Sequence, residues 1–269
     1  MLTILGSRGT IPVSGYEYVK YGGCTPSLFA RVDDTAIIFD AGTGIYKINT
    51  IKDFKRIHIF LSHLHWDHIM GLPLFSYFYK ENIDIFIYID DKDDLDTSDF
   101  IRYLFKEPFF PVSHEKLNCN LSIIKIDYNS KYSFGRYEII PFPGNHPNGA
   151  SMFLIGNSKF KCLYATDFEH GTEKDDILIE AASGVNYLIY DTTYTPGDFL
   201  GERDGIDKTG WGHSTFEYGA KFAKKSKSKN LVLFHHNPDY IDCYIDEIVI
   251  KARKHFSHTI ASYDGMILQ

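Results

Sequence analysis

Short runs of aliphatic, β-branched and aromatic residues recur along the chain, each bounded by Gly, Pro, Asn, Asp or Ser. They predict strands over 2–5, 36–40, 56–61, 83–89, 121–126, 137–141, 151–155, 161–165, 187–191 and 231–234. Apolar positions at helical spacing predict helices over 67–80, 94–105, 174–182, 214–224 and 240–254. The first half is strand-rich with few helices, and the second half repeats that order. Two sheets packed on each other, with helices outside, accommodate such a pattern. No internal repeat, low-complexity tract or Pro/Ser-rich linker divides the chain. Residues 1–269 therefore read as one large layered domain of mixed α and β structure.

Composition narrows the classes. Of the 269 residues, 44% are hydrophobic and 23% charged, which suits a globular protein with a sizeable core. No apolar run reaches the roughly 18 residues a membrane span needs, and no secretion signal is visible near Met1. The four cysteines (Cys24, Cys119, Cys162, Cys243) form no CxxC pair, so neither a disulfide framework nor a thiolate zinc site is expected, and a reducing cytoplasm is. A net charge of −7 disfavours long nucleic acids and anionic membranes. The basic run ending at Lys229 reads as a solvated helix end, and the acidic stretch 90–99 as a solvated helix start.

Candidate chemistry gathers at strand ends. Ser62-His63-Leu64-His65-Trp66-Asp67-His68 follows the apolar strand at 57–61 and opens a helix. Neutral imidazoles and ionised carboxylates are the ligands borderline divalent metals prefer. His63 and His65, two apart in an extended turn, can point to one side, while Asp67 and His68 on the first helical turn can face a second position. Further candidates end other strands: His146 in Pro143-Gly144-Asn145-His146-Pro147, Asp167 after Thr166, and His235-His236. Asp167 has two oxygens and could bridge two cations. His58, His114, His255 and His258 lack such a setting and read as ordinary surface or satisfied residues. Asp40 and Asp191, at strand ends, could either orient histidines or cap turns.

HxHxDH after an apolar strand, with a downstream His, Asp and final His, resembles the metallo-β-lactamase superfamily over essentially the whole chain. The resemblance implies an αββα sandwich. It assigns His63, His65 and His146 to one metal and Asp67, His68 and His235 to the other, with Asp167 bridging. Two divalent ions, zinc, manganese or iron, are the implied cofactors. Asp67 in this place, followed by His68, fits the di-metal hydrolase branches and departs from the true β-lactamases.

Gly210-Trp211-Gly212-His213-Ser214-Thr215 is similar to the phosphodiesterase branch that contains the tRNA 3′-processing endonuclease, where the corresponding His contacts the scissile phosphate. The protruding tRNA-binding arm of those nucleases, which would fall between His146 and Asp167, has no room in 147–166. Gly6-Ser7-Arg8-Gly9-Thr10 and Tyr21-Gly22-Gly23-Cys24-Thr25-Pro26 resemble small phosphodiesterases of the same superfamily, although Cys24 and Asn237 stand where Asn and Asp are expected. Those glycine-rich loops either cradle a phosphate or form tight turns. The expected activity is metal-dependent hydrolysis of a small phosphodiester, a cyclic 3′,5′-nucleotide foremost, with a base stacked on Tyr16, Tyr18 or Tyr21. His213 would stabilise the transition state, Asp67 would orient the nucleophile and Glu169 would hold His213. The alternatives are a thioester or lactone hydrolase, and a tRNA-processing-type nuclease without the arm. A homodimer is also among the expectations.

Overall fold

The computed structural model describes residues 1–90 and 97–269. The acidic stretch read as a helix start lies partly outside them. The first half lays down β1 (Leu2–Gly6), β2 (Ser27–Val32), β3 (Thr35–Phe39), β4 (Arg56–Phe60), β5 (Asp84–Ile89) and β6 (Asn120–Lys125). The second half lays down β7 (Tyr132–Phe134), β8 (Tyr137–Gly144), β9 (Ala150–Gly156), β10 (Lys161–Ala165), β11 (Tyr187–Asp191), β12 (Asn230–Phe234) and β13 (Thr259–Ala261). The final strand, β14 (Ile267–Leu268), returns to pair antiparallel with β1. Two seven-stranded sheets result, ordered β14-β1-β2-β3-β4-β5-β6 and β13-β12-β11-β10-β9-β8-β7.

The period-two alternation of strands explains how the sheets pack. Ile37 and Phe39 of β3, Phe60 of β4, Cys162 and Tyr164 of β10, and Val232 and Phe234 of β12 fill a core between the sheets. Their neighbours turn outward. Ala36, Ile38, Ile57 and Ile59 pack under α1 (Trp66–Ile69) and α2 (Thr97–Leu104). Leu163, Ala165, Leu231 and Leu233 pack under α3 (Lys174–Ala181), α5 (Phe216–Lys225) and α6 (Asp242–His255). Three cores define four layers, so the fold is the αββα sandwich. A short α4 (Pro196–Phe199) follows β11.

The helix expected over 67–80 is broken. Only Trp66–Ile69 is α-helical, followed by 3-10 turns at Leu72–Leu74 and Ser76–Tyr79. Pro73 lacks the N–H a continuous helix would need there. Of the two readings of His58, the satisfied buried residue holds and the surface one does not. It stacks on Phe86 at 4.7 Å in the inter-sheet core, with Nδ1 3.0 Å from the Tyr88 hydroxyl. The run of lysines does close α5, with Lys224 and Lys225 in its last turn.

Candidate metal centre

Strands β3 and β4 run parallel, as do β10, β11 and β12. Their carboxyl ends deliver side chains to one cleft, where sites of layered α/β proteins form. Beyond β4 the chain stays extended to His65 and enters α1, which sets Asp67 and His68 in its first turn. The other sheet contributes His146 after β8, Asp167 after β10 and His235 after β12. Among the described non-glycine residues with positive φ, Thr10 (67°), Asp40 (57°), Asp167 (51°) and His235 (61°) all belong to this cleft. Strained backbone concentrated at one place marks a site that the surrounding fold over-determines.

The seven sequence-predicted ligands converge. Ligand atoms of His63, His65, His146 and Asp167 lie within 4.8 Å of one another, and so do those of Asp67, His68, Asp167 and His235. Asp167 is common to both groups: its Oδ2 lies 3.5 Å from His63 Nε2 and its Oδ1 3.2 Å from His68 Nε2. A third group joins Asp167, Asp191, His213 and His235. His236 turns away, donating from Nε2 to the Ser262 carbonyl at 3.0 Å.

Two fully buried carboxylates organise the histidines in parallel fashion. Asp40, directly after β3, accepts from His68 Nδ1 at 2.8 Å and from the Ser62 hydroxyl at 2.9 Å, and Ser62 Oγ in turn meets His63 Nδ1 at 3.0 Å. Asp191, ending β11, accepts from His213 Nδ1 at 2.8 Å and from the Thr193 hydroxyl at 2.8 Å, and Thr193 Oγ1 meets His235 Nδ1 at 2.9 Å. Each carboxylate thus holds one histidine directly and another through a hydroxyl. A carboxylate or carbonyl can only accept, so these contacts place the proton on Nδ1 and turn Nε2 into the cleft. His146 obeys the same rule, donating from Nδ1 to the Gly212 carbonyl at 2.9 Å. Gly212 has φ 87°, and a Cβ there would lie 2.0 Å from His146 Nδ1, so only glycine fits.

The inward-facing atoms fit a cation. Nε2 of His63 and Nε2 of His68 are buried without any hydrogen-bond partner. His146 Nε2, whose ring has already given its proton to Gly212, faces His65 Nδ1 at 3.0 Å. Buried ring nitrogens without a partner are costly, and a cation in the cleft would satisfy them. Burial drives the His63 imidazole well below its ordinary value and His146 down to about 4, the neutral forms a metal requires. His68 runs the other way. Its complete burial opposes charge, but Asp167, Asp67 and Asp40 outweigh that and hold it well above the usual range. A metal ion held there would displace that proton.

Three expectations are corrected. Glu169 does not touch His213, whose partner is Asp191. Its Oε1 and Oε2 instead accept from the backbone N–H groups of Gly210 and Gly212, each at 2.7 Å, and so fix the loop that orients His146. Of the two readings of the glycine-rich loop at 6–10, the tight turn holds and the phosphate cradle does not. The N–H groups of Arg8, Gly9 and Thr10 are spent on Cys24 O, His236 O and Asp67 Oδ2. Gly9 serves close packing, since a Cβ there would meet the His235 ring at 2.4 Å. Tyr21 is buried, with its hydroxyl bonded to Asp246, and Tyr18 lies against the Arg8 guanidinium, leaving Tyr16 as the exposed tyrosine of that loop. Sequence reasoning left Ser62, Thr193 and Gly212 without roles. Ser62 lay inside the quoted motif, but Thr193 carried no signal because its role depends on two strand ends meeting.

Comparison with known proteins agrees with this geometry. Residues 35–236 match the Beta-lactamase superfamily domain. A ribonuclease Z of Pyrococcus horikoshii is 25% identical over 80% of this chain and 81% of its own length. Among solved structures, the metallo-beta-lactamase fold protein YhfI from Bacillus subtilis superposes with a TM-score of 0.73 at 17% identity, covering 98% of this chain and 96% of that one. A diphosphatase from the PhnP family superposes with a TM-score of 0.71 at 18% identity, covering 100% and 96%. With its fold, its histidine–aspartate cleft and this match, the chain belongs to the β-lactamase superfamily and is a metal-dependent hydrolase.

Proposed function

We propose that this chain, residues 1–269 acting as one domain, is a binuclear phosphodiesterase for small phosphodiesters, cyclic 3′,5′-nucleotides foremost. His63, His65 and His146 would hold one divalent ion, Asp67, His68 and His235 a second, and Asp167 both. The ions suited to these ligands are zinc, manganese or iron. Charge supports bound cations: Asp40, Asp67, Asp167 and Asp191 are all buried, and one cationic His213 leaves three of these carboxylate charges to be met. Bound there, the ions would activate water and neutralise phosphate charge.

The observation that carries the reading is the His213–Asp191 pair beside the cluster. His213 Nδ1 is committed to Asp191, so any donation to a substrate comes from Nε2. Burial works against a charge on this ring, but Asp191, with Asp167 and Asp67 behind it, holds it up to about 9. A cationic donor held still by a carboxylate suits the charge that builds on a phosphoryl oxygen or a leaving oxygen. Asp67 is fixed by the Thr10 amide at 2.7 Å, and this would let it orient the nucleophile beside the ion it holds. A small substrate is favoured because 147–166 forms only the β9–β10 hairpin, with no protruding arm. The net charge of −7 also disfavours a long polyanion. The likeness to a ribonuclease Z supports hydrolysis at a phosphodiester. All four cysteines are free, in keeping with a reducing cytoplasm.

The test is a turnover panel on protein of measured metal content, comparing cyclic mononucleotides, bis(p-nitrophenyl) phosphate, thioesters and precursor tRNA. Cyclic nucleotides and the aryl diester should turn over, and precursor tRNA should be a poor substrate. Efficient tRNA cleavage with inert cyclic nucleotides would overturn the size assignment. Activity confined to thioesters would overturn phosphodiester hydrolysis itself.

A further inference from the structure

The turn that carries the metal-facing residues has a second face. His63, His65 and Asp67 point into the cleft, while Leu64 and Trp66 line an apolar hollow of about 550 Å³ on its flank. Its floor is Ile69 of α1 and the adjoining Met70 with Leu104 of α2, and its mouth carries Tyr103 and Phe109. Trp66 is 68% exposed and Phe109 84%. Large aromatic side chains are seldom left so open unless something packs on them. Among the described residues of the lining, Lys106 is the one cation, with Nζ 5.9 Å from the Tyr103 ring centroid. The volume falls within the range of pockets that enclose small organic molecules.

We infer that this hollow is the subsite for the organic part of the substrate, and that it selects a planar aromatic ester group, nucleobase or aryl. The inference rests on the phosphodiesterase reading and deepens it. His65 is exposed and lies between Leu64 and Trp66 in sequence, so an ester group leaving a phosphate at the cluster crosses one residue to reach the hollow. Aromatic walls grip a flat ring by offset or edge-to-face contact, and the Lys106 ammonium beside Tyr103 can add a cation–π contact to it. This surface takes the place of the tyrosine loop, whose Tyr18 and Tyr21 are engaged elsewhere.

The chain has only two tryptophans, Trp66 and Trp211, which makes the test direct. Metal-loaded, ¹⁵N-labelled protein should show two indole N–H signals, assigned with Trp211→Phe. Phenylphosphonate should shift the Trp66 signal in a saturable way, and methylphosphonate should leave it in place. Kinetically, phenyl p-nitrophenyl phosphate should be preferred over methyl p-nitrophenyl phosphate in kcat/KM. Trp66→Ala and Phe109→Ala should each cut that preference about tenfold. Both side chains are open to solvent, so neither variant threatens the fold. Equal kcat/KM for the two diesters, unchanged by either variant, would overturn the subsite. If neither diester is hydrolysed yet phenylphosphonate still shifts Trp66, the subsite stands and the phosphodiesterase reading falls.

Discussion

Histidines outnumber the cations they could hold, and the roles of individual rings are set by what the far nitrogen touches. His213 belongs to one group of potential ligand atoms, with Asp167, Asp191 and His235, and also has a carboxylate partner of its own. Its Nδ1 sits 2.8 Å from Asp191, so Nε2 is the atom with which the ring acts in the cleft, as the donor proposed above. His213→Ala should therefore keep the metal content of the wild type while kcat falls on the order of a hundredfold or more, as when other transition-state donors are removed. Asp191→Asn should lower kcat by about 10- to 100-fold, through loss of the group that orients His213 and, through Thr193, His235. His63→Ala, by contrast, should lose metal and activity together. Elemental analysis beside kcat separates these cases. Loss of one ion in His213→Ala would make His213 a ligand and end its assignment as donor.

At the scale of elements, strand β4 shows what alternation leaves legible and what it hides. Reading 56–61 as a strand placed Ile57 and Ile59 on one face, and the structure puts them under α1 and α2. The same alternation turns His58 inward, but no motif surrounds it, so its burial became visible only with Phe86, Tyr88 and Phe134 in place. The metal-facing set was legible because HxHxDH is local and because strand ends in parallel sheets share a rim. The functions of Ser62, Thr193 and the Glu169–Gly212 clamp were not, since each depends on contacts between distant elements. The aromatic hollow needed α2 brought beside α1, and the helix boundary at Pro73 was overrun because periodicity alone outweighed one proline. His58 also yields a pH prediction. Burial, with a smaller contribution from Arg56, pulls its pKa down to about 4. The unfolded chain, near 6.5, then binds the extra proton first, so stability is lost as pH falls from about 6.5 toward 4. His58→Phe removes that proton site and keeps a ring against Phe86. The stability difference between wild type and His58→Phe should change by at most about 1.4 kcal/mol per pH unit across that window, to the disadvantage of the wild type in acid. Parallel denaturation curves for the two proteins from pH 7 to 4 would refute it.

For the whole molecule, the centre is a junction between two halves. The first sheet and α1 supply His63, His65, Asp67 and His68, and the second sheet supplies His146, Asp167 and His235. Direct backbone links between the halves at this rim include the amide of Ser151 to Ser62 O at 2.8 Å and that of Gly9 to His236 O at 2.9 Å. Ions held by ligands from both halves would add cross-links where the inter-sheet core ends, and would meet the charge of carboxylates otherwise crowded in a dry cleft. Metal removal should therefore loosen the rim before the core. A chelator should lower Tm by on the order of 10 °C, the shift expected when a ligand bound about a thousandfold above its Kd is stripped from a protein of this size. Hydrogen exchange should speed up in 62–70, 192–194 and 235–240, while the β8–β9 hairpin, paired along seven residues from Glu138↔Gly156 to Gly144↔Ala150, keeps its protection. Restoring zinc should reverse both changes, and Asp167→Asn, which strips the shared ligand of its charge, should show little response to chelator or zinc. A chelator-treated protein with unchanged Tm and unchanged exchange at these three segments would mean that the cleft is held by its hydrogen bonds alone. The ions would then have no part in joining the two halves.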